Sequence, residues 1–214
     1  MKKLLKYLLL LAIIGLLGYN SVYFKKLSEV NKAKSATFDA TAYARQLWQG
    51  QLPARMDSAV DLHDFINAID ANSEQAFARY SHALAIGNER YTLVSLTGTV
   101  YDVREDETAL IMRHGDTSMP VDLATEFIYG NAIRDASGLV NIRDFTSTSD
   151  LNNVSEALNR LARTEVIVPF KKQVKRGDTV QVVGAIAFNK EHINFSGLEL
   201  IPVRLKIISR HAGS

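Results

Sequence analysis

At Arg90 the spacing of apolar residues changes from the 3.6-residue period of helices to the two-residue period of strands. The run that follows, Tyr91 to Val103, is a long β-strand in which Gly98 marks a bulge or coiling point. Glu105-Asp106-Glu107 turns the chain, Thr108 to Met112 returns, Gly115-Asp116 turns again, and Met119 to Ala124 makes a third strand. Ser147 to Asp150 is rich in N-cap residues, and Leu151, Val154, Leu158 and Leu161 follow at helical spacing. Gly177-Asp178 and Ser196-Gly197 then introduce strands over Thr179 to Phe188 and Leu198 to Ile208. Three strands, one helix and two strands, led by a long glycine-bearing strand, are the layout of an OB-like five-stranded β-barrel. Closure also removes the exposed edges that the alternative, an open α+β sheet, would keep. The alternation points Leu93, Val100, Val121, Val182 and Ile186 into the barrel.

Ahead of the strands the chain reads as a small helical layer, so the fold class is α+β. Asp39 caps a helix carrying Tyr43, Leu47 and Trp48, which Gly50 ends. Pro53 starts the next segment. Val60, Leu62, Phe65, Ile66 and Ile69 have helical spacing, Asn72-Ser73 breaks it, and Phe77, Tyr80 and Leu84 continue on a third helix. Residues 38–88 are therefore expected to pack as a helical segment on a barrel domain at 89–209. Before them, residues 25–37 are polar and lysine-bearing without periodicity, as in a stalk.

Residues 1–24 carry a membrane signal. Tyr7 to Phe24 are apolar over 18 positions apart from Gly15, Gly18, Asn20 and Ser21, with lysines on both flanks, just enough to cross a bilayer. The exit, Gly18-Tyr19-Asn20-Ser21-Val22-Tyr23-Phe24, has no small-x-small cleavage site, which favours an uncleaved signal anchor over a cleaved signal peptide. Lys2, Lys3 and Lys6 favour an N-terminus kept inside. The expectation is a single-pass protein of the cytoplasmic membrane, held through residues 7–24, with its C-terminal body on the extracytoplasmic side.

Charge and missing motifs exclude several chemistries. Seven of the 25 lysines and arginines fall within residues 1–35 against Glu29 alone, leaving 18 basic and 22 acidic residues in the rest. A net-acidic body outside the cell is a poor nucleic-acid binder, so Lys171, Lys172, Lys175 and Arg176 read as a solvated loop. The chain has no cysteine, which excludes disulfides, thiolate catalysis and cysteine-held metals in this sequence. His63, His82, His114, His192 and His211 show no ligand spacing, and Glu105-Asp106-Glu107 is the solvated acidity of a turn. Neither a cofactor nor a metal is expected.

Candidate site residues concentrate between the third strand and the following helix, a connection too long for an ordinary loop. Gly130-Asn131-Ala132-Ile133-Arg134-Asp135 and Asn141-Ile142-Arg143-Asp144-Phe145 place two Arg-Asp pairs close to Asn131, with Tyr129 and Phe145 as aromatic faces. Arginine forks a carboxylate, phosphate or sugar hydroxyl, and Asp or Asn accepts from hydroxyls. Asn131, Arg134, Asp135, Arg143, Asp144 and Phe145 are therefore the candidates for contact with a ligand or partner. The same pattern also suits a purely structural role, in which Arg134 and Asp135 tie the loop to the barrel, with Gly130 or Asn131 in a left-handed turn.

Together with Phe38-Asp39, Trp48, Leu52-Pro53-Ala54 and Leu158-Asn159, the Gly130-to-Asp135 block and Asp144-Phe145 resemble a bacterial family of predicted periplasmic lipoproteins, a domain of unknown function. The resemblance spans about residues 38 to 205. It implies an accessory role in carbohydrate uptake, since members often neighbour sugar ABC-transporter genes. One departure matters: without a cysteine, attachment here falls to the apolar helix. The leading function is thus a membrane-anchored, extracytoplasmic, non-catalytic module binding a transporter, another envelope protein or a small polar ligand. The alternatives are a glycoside hydrolase-like enzyme using Asp135 and Asp144, against which stands the arginine beside each acid, or a structural envelope protein.

Overall fold

The computed structural model describes Tyr7 and residues 38–115 and 117–210. The expected membrane anchor and stalk lie outside the described residues, apart from Tyr7, as does His211; among the described residues no helix is long and apolar enough to cross a membrane.

The body opens with α1 (Ala40–Gly50), where Asp39 Oδ1 accepts from the backbone N–H groups of Thr41 and Ala42 at 3.0 and 2.9 Å. Ala44, Leu47 and Trp48 form its buried stripe. α2 (Leu52–Asp57) follows at once, with Pro53 in its first turn, where a missing N–H costs nothing. The helix expected from Val60 starts later. Asp61 is its cap, accepting from His63 and Asp64 N–H, so α3 covers Leu62–Tyr80. Val60–Asp61 instead forms a two-residue strand, β1, parallel to its neighbour at Val94–Ser95. The break at Asn72 is present as a kink with φ −164° and ψ 98°, and Asn72 Oδ1 recaps the second half through Gln75 N–H at 2.9 Å.

Five long strands follow: β2 (Glu89–Val103), β3 (Glu107–His114), β4 (Thr117–Ala124), β5 (Thr179–Asn189) and β6 (Leu198–Ser209). With β1 the sheet has six strands where five were expected. Pairing runs β2–β3–β4–β6–β5 and returns from β5 to β2, with β1 as a flank. The length of β2 makes this circuit geometrically available: Glu89 to Thr99 pair with β5, and Gly98 to Val103 pair with β3. Gly98 sits at the handover, where a Cβ would lie 3.2 Å from Leu110 Cβ and 3.3 Å from the Ile111 carbonyl oxygen. It is a point of close approach. The irregularity anticipated there occurs two residues on, between Val100 and Asp102.

Val100, Val121, Val182 and Ile186 are buried in one apolar cluster with residues of α3, including Phe65 and Phe77. Leu93 differs. It is buried but lies on the opposite face, because the core-facing residues of β2 are Val94, Leu96 and Val100 and a strand alternates its sides.

The connection between β4 and the next long helix is more ordered than a loop. It contains α4 (Ala132–Ser137), every residue of which is buried, and a 3₁₀ turn at Ile142–Asp144. Gly130 has φ +79° and Gly138, which terminates α4, has φ +61°, the left-handed region that glycine enters freely. Ser147 and Asp150 cap α5 (Thr148–Leu161) reciprocally, Ser147 Oγ donating to Asp150 Oδ2 at 2.8 Å and accepting from Asp150 N–H at 3.2 Å. The chain then continues through a widened π-type turn (Ala162–Ile167) into α6 (Val168–Lys171), one segment beyond the expected helix end. Lys171 donates to the Glu105 carbonyl, Arg176 lies over the Tyr101 ring at 5.4 Å, and Lys172 and Lys175 are exposed. The described residues from Asp39 onward form one compact unit.

Candidate functional site

The centre of the α4–α5 region is a buried ion pair. Arg134 Nε donates to Asp135 Oδ1 at 2.6 Å, with the two side chains 7% and 0% exposed. Neighbouring side chains on an α-helix diverge by about 100°, so this pairing needs the guanidinium to fold back across a short helix. The other carboxylate oxygen, Oδ2, accepts from Asn131 Nδ2 at 2.7 Å and from Leu84 N–H at 3.4 Å. Asn131 Oδ1 in turn accepts from the Tyr91 hydroxyl of β2 at 3.2 Å. Arg134 Nη1 reaches the Leu151 carbonyl of α5 at 3.3 Å. Arg134 and Asp135 thereby tie α4 to the chain before β2, and to α5.

The same network perturbs its neighbours. Burial raises the Tyr91 hydroxyl pKa, and the Asp135 carboxylate raises it further. His82 is lowered from its ordinary 6.5, first by burial and then by the Arg55 guanidinium, with Asp135 pulling the other way.

Beside this network opens a cavity of about 620 Å³, within the size range of small-molecule sites. Arg134 lines it from α4, Thr148, Leu151, Asn152, Ser155, Glu156 and Asn159 from α5, and Ile128, Tyr129, Gly130 and Asn131 from the segment preceding α4. Leu84, Ile142, Arg160 and Arg163 complete most of its wall. Two aromatics next to it or on its rim are open to solvent, Phe127 at 66% and Tyr129 at 75% exposure. Asn159 is the unusual member. Its Nδ2 donates to the Gly130 carbonyl at 2.9 Å, while its Oδ1 is buried with no donor among the described residues. That oxygen has no accessible surface, so it is an unpartnered group packed behind the cavity wall.

The six sequence candidates separate. Asn131 and Arg134 reach the cavity. Asp135 supports them from behind, closed off from solvent. Arg143 and Asp144 are exposed on the 3₁₀ turn and are not part of the cavity wall, to which their neighbour Ile142 contributes instead. Phe145 packs edge-on against Tyr43 with ring centroids 5.4 Å apart, in a small cluster with Leu47, Val140 and Leu151. The residues that sequence reasoning left without a role are those of the α5 face and its continuation, Asn152, Ser155, Asn159, Arg160 and Arg163. Asn159 alone carried a signal, as part of the Leu158-Asn159 pair. His63 and His114 stack at 3.7 Å, and among the described residues no three His, Cys, Asp or Glu side chains are grouped to hold a metal.

Fold and cavity together define a mixed helix-and-strand protein of OB-like build, with a helical insertion forming a cleft at its side. Residues 12–206 match the family described as predicted periplasmic lipoprotein (DUF2291), and the chain belongs to that family. That description is of an extracytoplasmic, membrane-associated protein. Among solved structures, an OB-fold protein from Thermotoga maritima is similar with TM-score 0.70 and 26% identity, over 79% of this chain and 98% of that one. Asparaginyl-tRNA synthetase from Pyrococcus horikoshii, complexed with asparaginyl-adenylate, aligns with TM-score 0.26 and 11% identity over 57% of this chain and 20% of its own. An OBody bound to hen egg-white lysozyme aligns with TM-score 0.28 and 12% identity over 63% and 93%. At those scores the last two carry no argument. No curated protein matches the sequence.

Proposed function

We propose that this protein is an extracytoplasmic, non-catalytic binding module whose small polar ligand occupies the cleft between α4, α5 and the segment 128–130. The observation that carries the reading is the 620 Å³ cavity itself, which the polar side chains of Asn131, Arg134, Asn152 and Ser155 line beside an apolar wall. Attachment through residues 7–24 and an accessory role beside a carbohydrate importer belong to the same proposal, the second resting on the family resemblance alone.

A hydrolase would need two carboxylates facing one cavity. Asp135 is 0% exposed and its oxygens are already engaged by Arg134, Asn131 and Leu84, while Asp144 lies outside the cavity wall. That arrangement favours binding over catalysis. The test is the pull-down of the native membrane complex with wild-type and Tyr129→Ala protein, alongside calorimetry on the purified chain. Ligand uptake lost in Tyr129→Ala supports the cleft. Undiminished uptake by that variant and by Asn159→Ala would remove it.

A further inference from the structure

On the reading that the cleft is the binding site, its three arginines narrow what it takes, because they differ in what they have left to give. Arg163 is spent: Nη1 donates to Glu126 Oε1 at 3.3 Å and Nη2 to the Glu126 backbone carbonyl. Arg134 is spent in part. Its Nε goes to Asp135 and its Nη1 to the Leu151 carbonyl, while Nη2 has no acceptor among the described residues. Unlike Asn159 Oδ1, that nitrogen is not closed off from solvent. It belongs to a side chain only 7% exposed that lines the cavity, so the cavity is where it opens. Arg160 is free. Its one ion pair among the described residues, with Glu156, is 3.9 Å long, beyond a hydrogen bond, and the two side chains are 56% and 75% exposed. Such a pair opens at little cost.

The two remaining donors complement each other. Arg134 supplies direction, since its planar guanidinium is held at two nitrogens and offers the third in a fixed orientation. It supplies no surplus charge, because Asp135 balances it. Arg160 supplies the charge. Its guanidinium lies toward Glu156, one turn back along α5 and so on the side of Leu151, where Arg134 is anchored. A fixed N–H beside an adjustable cation suits a carboxylate, which accepts at both oxygens in charge-assisted bonds about twice as strong as neutral ones. A phosphate dianion brings more charge and more acceptors than one open nitrogen and one exposed arginine match. Around Arg134 the wall is apolar, with Leu151 beyond the carbonyl that holds Nη1, Leu84 beside Asp135, and Ile142. Apolar atoms attached to the carboxylate would be taken out of water there.

We infer that the cleft takes a small organic acid, its carboxylate received by Arg134 Nη2 and Arg160 and its apolar part lying against Leu84, Ile142 and Leu151. The full chain is titrated calorimetrically with hexanoate, benzoate and succinate, with the matching neutral amides hexanamide, benzamide and succinamide, and with inorganic phosphate and D-glucose. The expected result is binding of at least one acid, about tenfold or more tighter than its amide, and weaker at physiological than at low salt. Arg160→Gln changes a 56% exposed side chain, and should weaken the acid about fivefold and remove most of the salt dependence. Arg134→Lys keeps a cation for Asp135 without the planar fork, and should weaken the acid about tenfold. Should that variant not fold, Arg160→Gln carries the test: an acid bound equally by it and by wild type overturns the inference. So does an amide bound as tightly as its acid. Phosphate or glucose bound in place of the acids, and lost in Tyr129→Ala, overturns the inference and leaves the cleft reading standing. Heat from none of the eight sinks both.

Discussion

Replacing Arg134 by alanine tests whether the Arg134–Asp135 pair holds the helical insertion together. The substitution removes the 2.6 Å charge-assisted bond to Asp135 and the 3.3 Å bond to the Leu151 carbonyl. Leu151 O loses little, since it also accepts from Ser155 Oγ at 3.3 Å. Asp135 loses much more. Its side chain is 0% exposed, and what remains is one good donor, Asn131 at 2.7 Å, and one long one, Leu84 N–H at 3.4 Å. Removing one partner of a buried pair typically costs 3–5 kcal/mol, and the surviving donors place this case at the low end, about 3 kcal/mol. For a domain of this size that corresponds to a fall of roughly 6–12 °C in Tm, read by circular dichroism or calorimetry. Adding Asp135→Asn to the variant removes the stranded charge and should recover about 1–2 kcal/mol. A Tm within about 2 °C of wild type for Arg134→Ala would refute the reasoning, because a buried carboxylate cannot lose its cation that cheaply.

Three further substitutions probe the frame around the cleft. Val182→Asp puts a charge at a fully buried position and should cost several kcal/mol or abolish folding; an unchanged urea midpoint would show the strand register to be wrong. Gly138→Ala demands a left-handed alanine whose Cβ would sit 2.6 Å from His82 Nε2 and 2.8 Å from Arg55 Nη2, so a loss of about 2 kcal/mol is expected and wild-type stability would contradict it. His82, lowered from 6.5, binds its proton more readily in the unfolded chain. Its contribution is therefore complete at pH above about 7, begins to be lost as pH falls through 6.5, and is fully lost below the folded value. His82→Gln should flatten that part of the Tm–pH curve, and parallel curves for the two proteins would count against it.

Strand order and the inserted helix were legible because their signals are local. Alternation marks β2 to β6, and Ser147 with Asp150 announces α5, which starts at the residue after Ser147. The failures have physical reasons. Thr92, Leu93, Val94 and Leu96 are all buried, since β2 is covered on both faces there, so apolarity could not say which parity faces the core. Val60 fits a helical stripe and a strand equally well, and what decides is Asp61, whose side chain caps the helix one residue later. Gly98 reads from sequence as a bulge or coiling point, and its use as a point of close approach depends on Leu110 and Ile111 of the partner strand.

The site was legible in half. Arg134 and Asn131 stand out in sequence by residue type, and the block Ala132 to Ser137 passed for a loop because six residues bounded by Gly130 and Gly138 are too few for a helical period to show. Its burial, not its propensity, holds it helical. Asn159 is a different kind of omission. Periodicity places it at the edge of the buried stripe of α5, among Leu151, Val154, Ser155 and Leu158, where an amide would ordinarily be taken as half-solvated. It is drawn into the cavity wall only when Gly130, turning at φ +79°, supplies a carbonyl for its Nδ2, which leaves its Oδ1 buried without a donor among the described residues. A buried group with one valence filled and one empty is a relation between two distant segments, and no window along either of them contains it.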